Sequence, residues 1–288
     1  MAETGRFSLT GKTAIVTGAS SGLGVTMAEA LAEAGANVVI AARRVENLEA
    51  LASRIEGAGG KAMAYRCDVS DSSSVRDLVA AAWEAFGRVD VLVNNAGVSA
   101  EAGVMPEKTP DELFAQTIQT NLMGTFYACR EVGSRQLADG RGGSLINVSS
   151  IMGMAGQQNA PVAYQASKAA VINLTRNLAL SWADRGVRVN CIAPGWFPSE
   201  MTELVLAAPP FRARIDSQAA LGRAGRPEEL VGPLLLLASD ASSYMTGSVL
   251  VVDGGTSATV GAAPYDEELF GLHEAVMPHG LGTRVVPA

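Results

Sequence analysis

Apolar residues along this chain fall in short blocks that alternate with longer, periodically spaced ones. The short blocks, at residues 13–17, 37–41, 62–66, 89–93, 144–148, 187–192 and 248–252, are rich in valine, isoleucine and alanine. Most are near-continuous rather than alternating, the pattern of parallel strands covered on both faces. The longer blocks, at 23–34, 45–58, 73–86, 110–137, 162–184 and 227–238, space their apolar residues for one helical face. Gly35 and Gly186 stand where helices stop. Pro227-Glu228-Glu229 reads as a helix start, with proline in the first turn and acids at the positive dipole end. Alternation of this kind predicts an α/β fold: a doubly wound, mainly parallel seven-stranded sheet with helices on both faces, in one domain.

Residues 1–258 carry this pattern, and 259–288 form a C-terminal extension richer in Gly, Ala and Pro. In the extension Asp266-Glu267-Glu268 precedes Leu269, Leu272 and Val276, which share one helical face. So short a stripe needs a surface to cover, and it is expected to dock near a substrate cleft.

Composition narrows the function. The chain has 288 residues, is 48% hydrophobic and carries a formal charge of −7. The acidic balance argues against a nucleic-acid surface. No apolar run is long enough to span a membrane, and no secretory signal opens the chain. Cys67, Cys129 and Cys191 are scattered and odd in number, which suggests neither a disulfide framework nor a metal site. The expectation is a cytoplasmic protein with reduced thiols.

The first predicted strand runs into Thr17-Gly18-Ala19-Ser20-Ser21-Gly22-Leu23-Gly24 and then an apolar helix. Glycines in that context allow a tight turn and let backbone amides approach a pyrophosphate at the helix N-terminus. The loop would therefore bind a dinucleotide through Gly18, Ser20, Ser21, Gly22, Leu23 and Gly24. Its spacing is not the strict Gly-x-Gly-x-x-Gly, and Gly11-Lys12-Thr13 lacks the upstream glycine of a P-loop. Gly18-Ala19-Ser20-Ser21-Gly22 also matches a serine-hydrolase elbow. That alternative needs a base, and the two histidines, His273 and His279, lie in the extension. The order Ser20, Asp253, His273 is formally allowed, although a hydrolase elbow follows several strands and this loop follows the first.

The second predicted strand ends in Ala41-Ala42-Arg43-Arg44, without the acid that holds the ribose hydroxyls of NAD. A guanidinium there suits a 2′-phosphate, so Arg43, with Arg44 beside it, favours NADP(H) and leaves NAD(H) as the second choice.

Tyr164 and Lys168 are four residues apart in a helical block, hence on one face. An ammonium beside a phenol is expected to lower its pKa and bring it into acid–base range.

With these residues in place the chain resembles the short-chain dehydrogenase/reductase family, over about residues 8–255. The resemblance implies a Rossmann-like catalytic domain and assigns Thr17-Gly18-x-x-x-Gly22-x-Gly24 to the cofactor loop. Cys67-Asp68-Val69 resembles the family's adenine-binding element, Asn94-Asn95-Ala96-Gly97 the motif beside the cofactor, and Pro194-Gly195 the turn beside the nicotinamide. It implies Asn121 as the helix residue linking Lys168 to solvent, Ser150 as the serine that steadies the oxyanion, Tyr164 as the acid–base group, and Lys168 on the nicotinamide ribose. Phe197 and Ser199 follow the turn, Ser199 standing where the family commonly has threonine. Homo-oligomers, tetramers or dimers, are also implied, through the faces of 110–137 and 162–184.

The reading is an oxidoreductase acting on a small carbonyl or alcohol substrate, apolar or mixed. Met152, Met154, Trp196, Met201, Leu204, Leu206 and Phe211 are the expected lining, with Gln157, Gln158 and Arg212 the polar groups at hand. A dinucleotide-binding regulator without catalysis is the alternative that keeps the glycines.

Overall fold

The computed structural model describes residues 3–157 and 161–258. The extension, its expected docking helix, His273, His279 and Gln158 lie outside the described residues.

Seven strands form one sheet: β1 (Thr13–Thr17), β2 (Asn37–Ala42), β3 (Lys61–Arg66), β4 (Val91–Asn94), β5 (Gly143–Val148), β6 (Val187–Pro194) and β7 (Val249–Val252). Their order is β3-β2-β1-β4-β5-β6-β7, and every pairing is parallel. The helices are α1 (Leu23–Glu33), α2 (Val45–Gly57), α3 (Ser72–Phe86), α4 (Asp111–Ile118), α5 (Gly124–Asp139), α6 (Val162–Trp182), α7 (Glu203–Ala207), α8 (Pro209–Gln218) and α9 (Val231–Ala238).

Period-two alternation splits the core across the sheet. Ala14, Val16, Val38 and Ile40 pack with Met27, Leu31 and Leu51 from α1 and α2, and with Leu234 and Leu237 from α9. Ile15, Val39 and Leu92 point the other way, onto Leu78 of α3, Val132 of α5 and Leu178 of α6. Strands buried on both faces explain why their sequences read as continuous apolar runs.

Three elements depart from the sequence expectation. Residues 110–137 are not one helix: a π-helical turn at Gln119–Met123 separates α4 from α5, and Gly124 N–H donates to Gln119 O, five residues back. The buried positions Thr117, Asn121, Gly124 and Ala128 keep a spacing of three to four across the turn, so periodicity alone does not reveal it. A Cβ at Gly124 would stand 2.9 Å from Val69 O, so α5 approaches the loop after β3 through a glycine. Residues 227–238 begin as a 3-10 turn, Pro227–Leu230, before α9. Residues 199–221, outside the predicted helical blocks, contain α7 and α8.

The chain changes direction across the sheet between β1 and β4. A crevice lies at the carboxyl ends of these two strands, the usual ligand position in such a sheet.

Candidate active site

That crevice is a cleft of about 620 Å³. Every sequence-predicted cofactor and catalytic residue borders it except Gly24 and Asn121.

One wall is the glycine loop. Gly18 has φ 68°, and a Cβ there would lie 2.6 Å from Ala96 Cα. Only glycine lets the loop after β1 close onto the loop after β4. Asn95 Nδ2 donates to Thr17 O at 3.2 Å and Gly18 O at 3.1 Å, and Thr17 Oγ1 accepts from Asn95 N and Ala96 N at 3.2 Å each. A Cβ at Gly24 would meet Gly18 O and Asn95 Nδ2, so this glycine shapes the loop from behind. Gly22 precedes α1 with no side-chain cap, leaving the first-turn amides to an anion.

The far end carries Asp68, Arg43 and Arg44. Asp68 Oδ1 accepts from Ser70 Oγ at 2.7 Å and Ser70 N at 2.9 Å. Arg43 has no hydrogen-bond or ion-pair partner among the described residues. Arg44 donates to Ser20 Oγ, Ser21 Oγ and the carboxylate of Glu200. Ser20 Oγ thus accepts from Arg44, and among the described residues no histidine stands against that hydroxyl as a base.

The near end holds Ser149, Ser150, Tyr164 and Lys168. The two serines at the end of β5 point to different partners, as alternation requires. Ser149 Oγ donates to Lys168 O at 2.7 Å, while Ser150 Oγ accepts Met152 N at 3.1 Å and stands beside the Tyr164 hydroxyl. Lys168 is buried, and its Nζ donates to Val148 O at 2.8 Å and lies 5.5 Å from the Tyr164 ring centre. Burial pushes the lysine down to about 8. The expected depression of the phenol is reversed: burial pushes Tyr164 up, and its hydrogen bond with Ser150 offsets only part. The cause is desolvation, which disfavours both charged forms and so moves phenol and amine in opposite directions.

Asn121 sits in the π-helical turn, buried behind the cleft. Its Oδ1 accepts Val98 N at 2.8 Å, and its Nδ2 donates to Val98 O at 2.9 Å and Ser167 Oγ at 3.0 Å. No hydrogen bond joins it to Lys168 among the described residues. The two meet only across Gly97, whose added Cβ would stand 3.4 Å from Asn121 Oδ1 and 3.5 Å from Lys168 Nζ.

The third wall follows β6. Gly195 packs on Asp253, where a Cβ would come to 2.7 Å of Asp253 Cβ, and Phe197 is buried. Thr202 Oγ1 ties the loop, donating to Phe197 O at 2.6 Å and accepting Ser199 N at 2.9 Å. Of the expected apolar lining only Met201 borders the cleft. Met154, Leu204 and Phe211 are 47, 85 and 59% exposed; Leu204 lies on α7 and Phe211 on α8, which turn both outward. Ser99 and Thr120 border it instead, and Ser99 Oγ is buried without a hydrogen-bond partner among the described residues.

Sequence reasoning missed two acids. Glu101 is fully buried; its Oε1 accepts Tyr164 N at 2.8 Å and its Oε2 accepts Thr117 Oγ1 at 2.5 Å. Glu200 borders the cleft and pairs with Arg44. Both lie in loops, where no periodicity marks them. Among the described residues no cluster of metal-binding side chains occurs, and no helix is long and apolar enough to cross a membrane.

A family model described as enoyl-(acyl carrier protein) reductase matches residues 18–257. The chain is similar to a gluconate 5-dehydrogenase of Gluconobacter oxydans (strain 621H), at 39% identity over 257 residues, 88% of this chain and 98% of the relative. Among solved structures it is similar to a short-chain type dehydrogenase/reductase from Mycobacterium marinum, with 39% identity, a TM-score of 0.83, and coverage of 88% and 98%. A gluconate 5-dehydrogenase from Burkholderia cenocepacia J2315, in complex with NADP and tartrate, aligns with a TM-score of 0.85 at 33% identity, over 90% of this chain and all of that one.

Proposed function

The chain belongs to the short-chain dehydrogenase/reductase family, and on that premise we propose that it interconverts a carbonyl compound and a secondary alcohol using NADP(H), with Tyr164 as the acid–base group. The observation that carries this reading is the convergence of Ser150, Tyr164 and Lys168 on one end of a cleft whose other end is the glycine loop. A bound nicotinamide would supply or accept the hydride. Tyr164, held protonated by burial, suits the proton that the carbonyl oxygen must gain. Ser150 steadies that oxygen while it carries negative charge. Lys168 holds the nicotinamide ribose, and Asn121 fixes the Val98 and Ser167 neighbourhood around it.

The donors of the cleft fit a phosphorylated dinucleotide. Gly18 and Gly22 shape the loop before α1 by close packing on Ala96 and Ser199, and Arg43 and Arg44 follow directly on the position where an NAD site has an acid. Binding of NADP by the Burkholderia cenocepacia relative supports the same choice, with NAD(H) as the weaker cofactor.

For substrate we propose a small hydroxylated molecule of mixed polarity. The unpartnered Ser99 hydroxyl, with Thr120 and Ser150 in the same cleft, suits substrate hydroxyls better than a purely apolar ketone does. Two relatives are gluconate 5-dehydrogenases, which agrees with that class. A homo-oligomer in a reducing compartment completes the proposal; its support is the 86% exposed Leu180 on α6 and three buried free cysteines.

The test is a panel of polyols, sugar acids and simple secondary alcohols, followed by NADPH absorbance with NADP+ or NAD+. Turnover is expected, faster with NADP+ at low cofactor concentration. Dinucleotide binding without turnover of any alcohol or ketone would favour the non-catalytic regulator.

A further inference from the structure

Among the described residues Glu200 is the acid that pairs with a cation at the Arg43–Arg44 end of the cleft. It lies on the loop after β6 and reaches Arg44 on the loop after β2, 156 residues away. Arg44 Nη1 donates to Oε1 at 2.9 Å and Nη2 to Oε2 at 2.9 Å, a two-point pair. Ser21 Oγ, from the glycine loop, donates to Oε2 at 3.0 Å. The guanidinium is held in turn by both loop hydroxyls: Nη2 donates to Ser21 Oγ at 2.8 Å and Ser20 Oγ at 3.1 Å, and Nε to Ser20 Oγ at 3.3 Å.

A guanidinium and a hydroxyl gripping a carboxylate form a receptor for a planar oxyanion. A phosphate monoester takes the same donors in the same two-point fashion. Both partners are half-exposed, with side-chain accessibilities of 48% and 57%. An exposed pair of this kind is weak and exchanges readily. Arg43, on the same rim, has no partner among the described residues, so only Arg44 is under the control of an internal anion.

We propose that Glu200 is a cofactor-specificity residue: its carboxylate competes with the 2′-phosphate of NADP(H) for Arg44 and Ser21, and so narrows the preference for NADP(H) over NAD(H). The proposal rests on the dinucleotide reading above and deepens it. Glu200 keeps Arg44 when the ribose carries no phosphate, and yields it when the ribose carries one. The loop that bears Glu200 also rests on the glycine loop, where a Cβ at Gly22 would stand 3.2 Å from Ser199 Cβ. Release of Glu200 therefore loosens residues 199–202, which form one wall of the cleft.

The test is direct binding. Dissociation constants for NADP+ and NAD+ are measured by calorimetry on the full chain, for wild type, Glu200→Gln, Arg44→Ala and the double variant. Glu200 is exposed, so Glu200→Gln removes charge without disturbing the core. It should tighten NADP+ about 3- to 10-fold and change NAD+ less than about 2-fold, the scale of losing one rim competitor. In the Arg44→Ala background the same change should have no effect on NADP+, since the contested cation is gone. Hydrogen exchange at 199–202 should be faster with NADP+ bound than with NAD+ bound. An unchanged NADP+/NAD+ ratio in Glu200→Gln, or a gain of equal size without Arg44, overturns the competition while leaving the functional reading intact. A wild-type chain that binds neither dinucleotide overturns both.

Discussion

The carboxylate of Glu101 holds the backbone of Tyr164: Oε1 accepts the Tyr164 N–H at 2.8 Å, from a residue with no exposed surface. Tyr164 is the third residue of α6, so this acid satisfies an N-terminal amide that no local side chain caps. Acids near a helix N-terminus are also favoured by its dipole. The other oxygen accepts Thr117 Oγ1, and Thr117 Oγ1 accepts Ala100 N at 3.1 Å, which fastens the loop after β4 to both α4 and α6. Glu101→Ala leaves the Tyr164 amide and the Thr117 hydroxyl unpaired, at about 1–3 kcal/mol each for a buried group. The melting temperature should fall by several degrees, and kcat should fall more than dinucleotide affinity does. Glu101→Gln, which keeps an acceptor, should recover part of both. A melting curve identical to wild type for Glu101→Ala would remove Glu101 from the account.

Tyr164→Phe keeps the ring and removes the hydroxyl. Turnover should drop at least about 10²-fold, the ordinary scale for a lost acid–base group. The NADP+ dissociation constant should stay within about 2-fold of wild type, because binding energy is spread over the whole cleft. Steady-state kinetics beside calorimetry checks both halves, and retained turnover would rule Tyr164 out as the proton carrier.

Ser149 and Ser150 should separate cleanly. Ser150→Ala loses the hydroxyl that meets Tyr164 and should reduce kcat by about 10- to 10³-fold, as oxyanion donors do. Ser149→Ala loses the hydrogen bond to Lys168 O, so its main effect should be a stability loss of about 1 kcal/mol. Paired kinetics and thermal melts decide; a larger kcat loss at Ser149 would invert the assignment.

Lys168 makes folding stability depend on pH. Its ordinary value of 10.5 is pushed down to about 8 by burial, so the folded chain binds its proton less tightly than the unfolded chain. The unfolded state therefore holds the extra proton between pH 8 and 10.5, and stability rises with pH across that window. Cys191, pushed up to about 11 from 9.0, acts in the opposite direction as pH climbs above 9. Denaturant unfolding of wild type and Lys168→Met at pH 7, 8, 9 and 10 isolates the lysine. The variant should lose the alkaline gain, and parallel curves for the two proteins would show that Lys168 is not desolvated as described.

Much of this molecule was legible because the signals are local. The strands β1 to β7, the glycine loop after β1 and the four-residue spacing of Tyr164 and Lys168 depend on neighbours within one or two turns of chain. Backbone sterics and hydrophobic periodicity write such features directly into residue order. The order β3-β2-β1-β4-β5-β6-β7 turns back at β1 and β4, which lets helices cover both faces of the sheet. What tertiary structure alone decided lies between distant segments. Glu101 meets Tyr164 across 63 positions and Glu200 meets Arg44 across 156. The π-helical turn at Gln119–Met123 keeps the three-to-four spacing of buried positions from Thr117 through Asn121 to Gly124, so periodicity carries no mark of it. The upward shift of Tyr164 is also a product of assembly. Proximity in sequence places an ammonium near the phenol, but only the packed fold determines how much water is removed from both, and here desolvation is the largest influence on each.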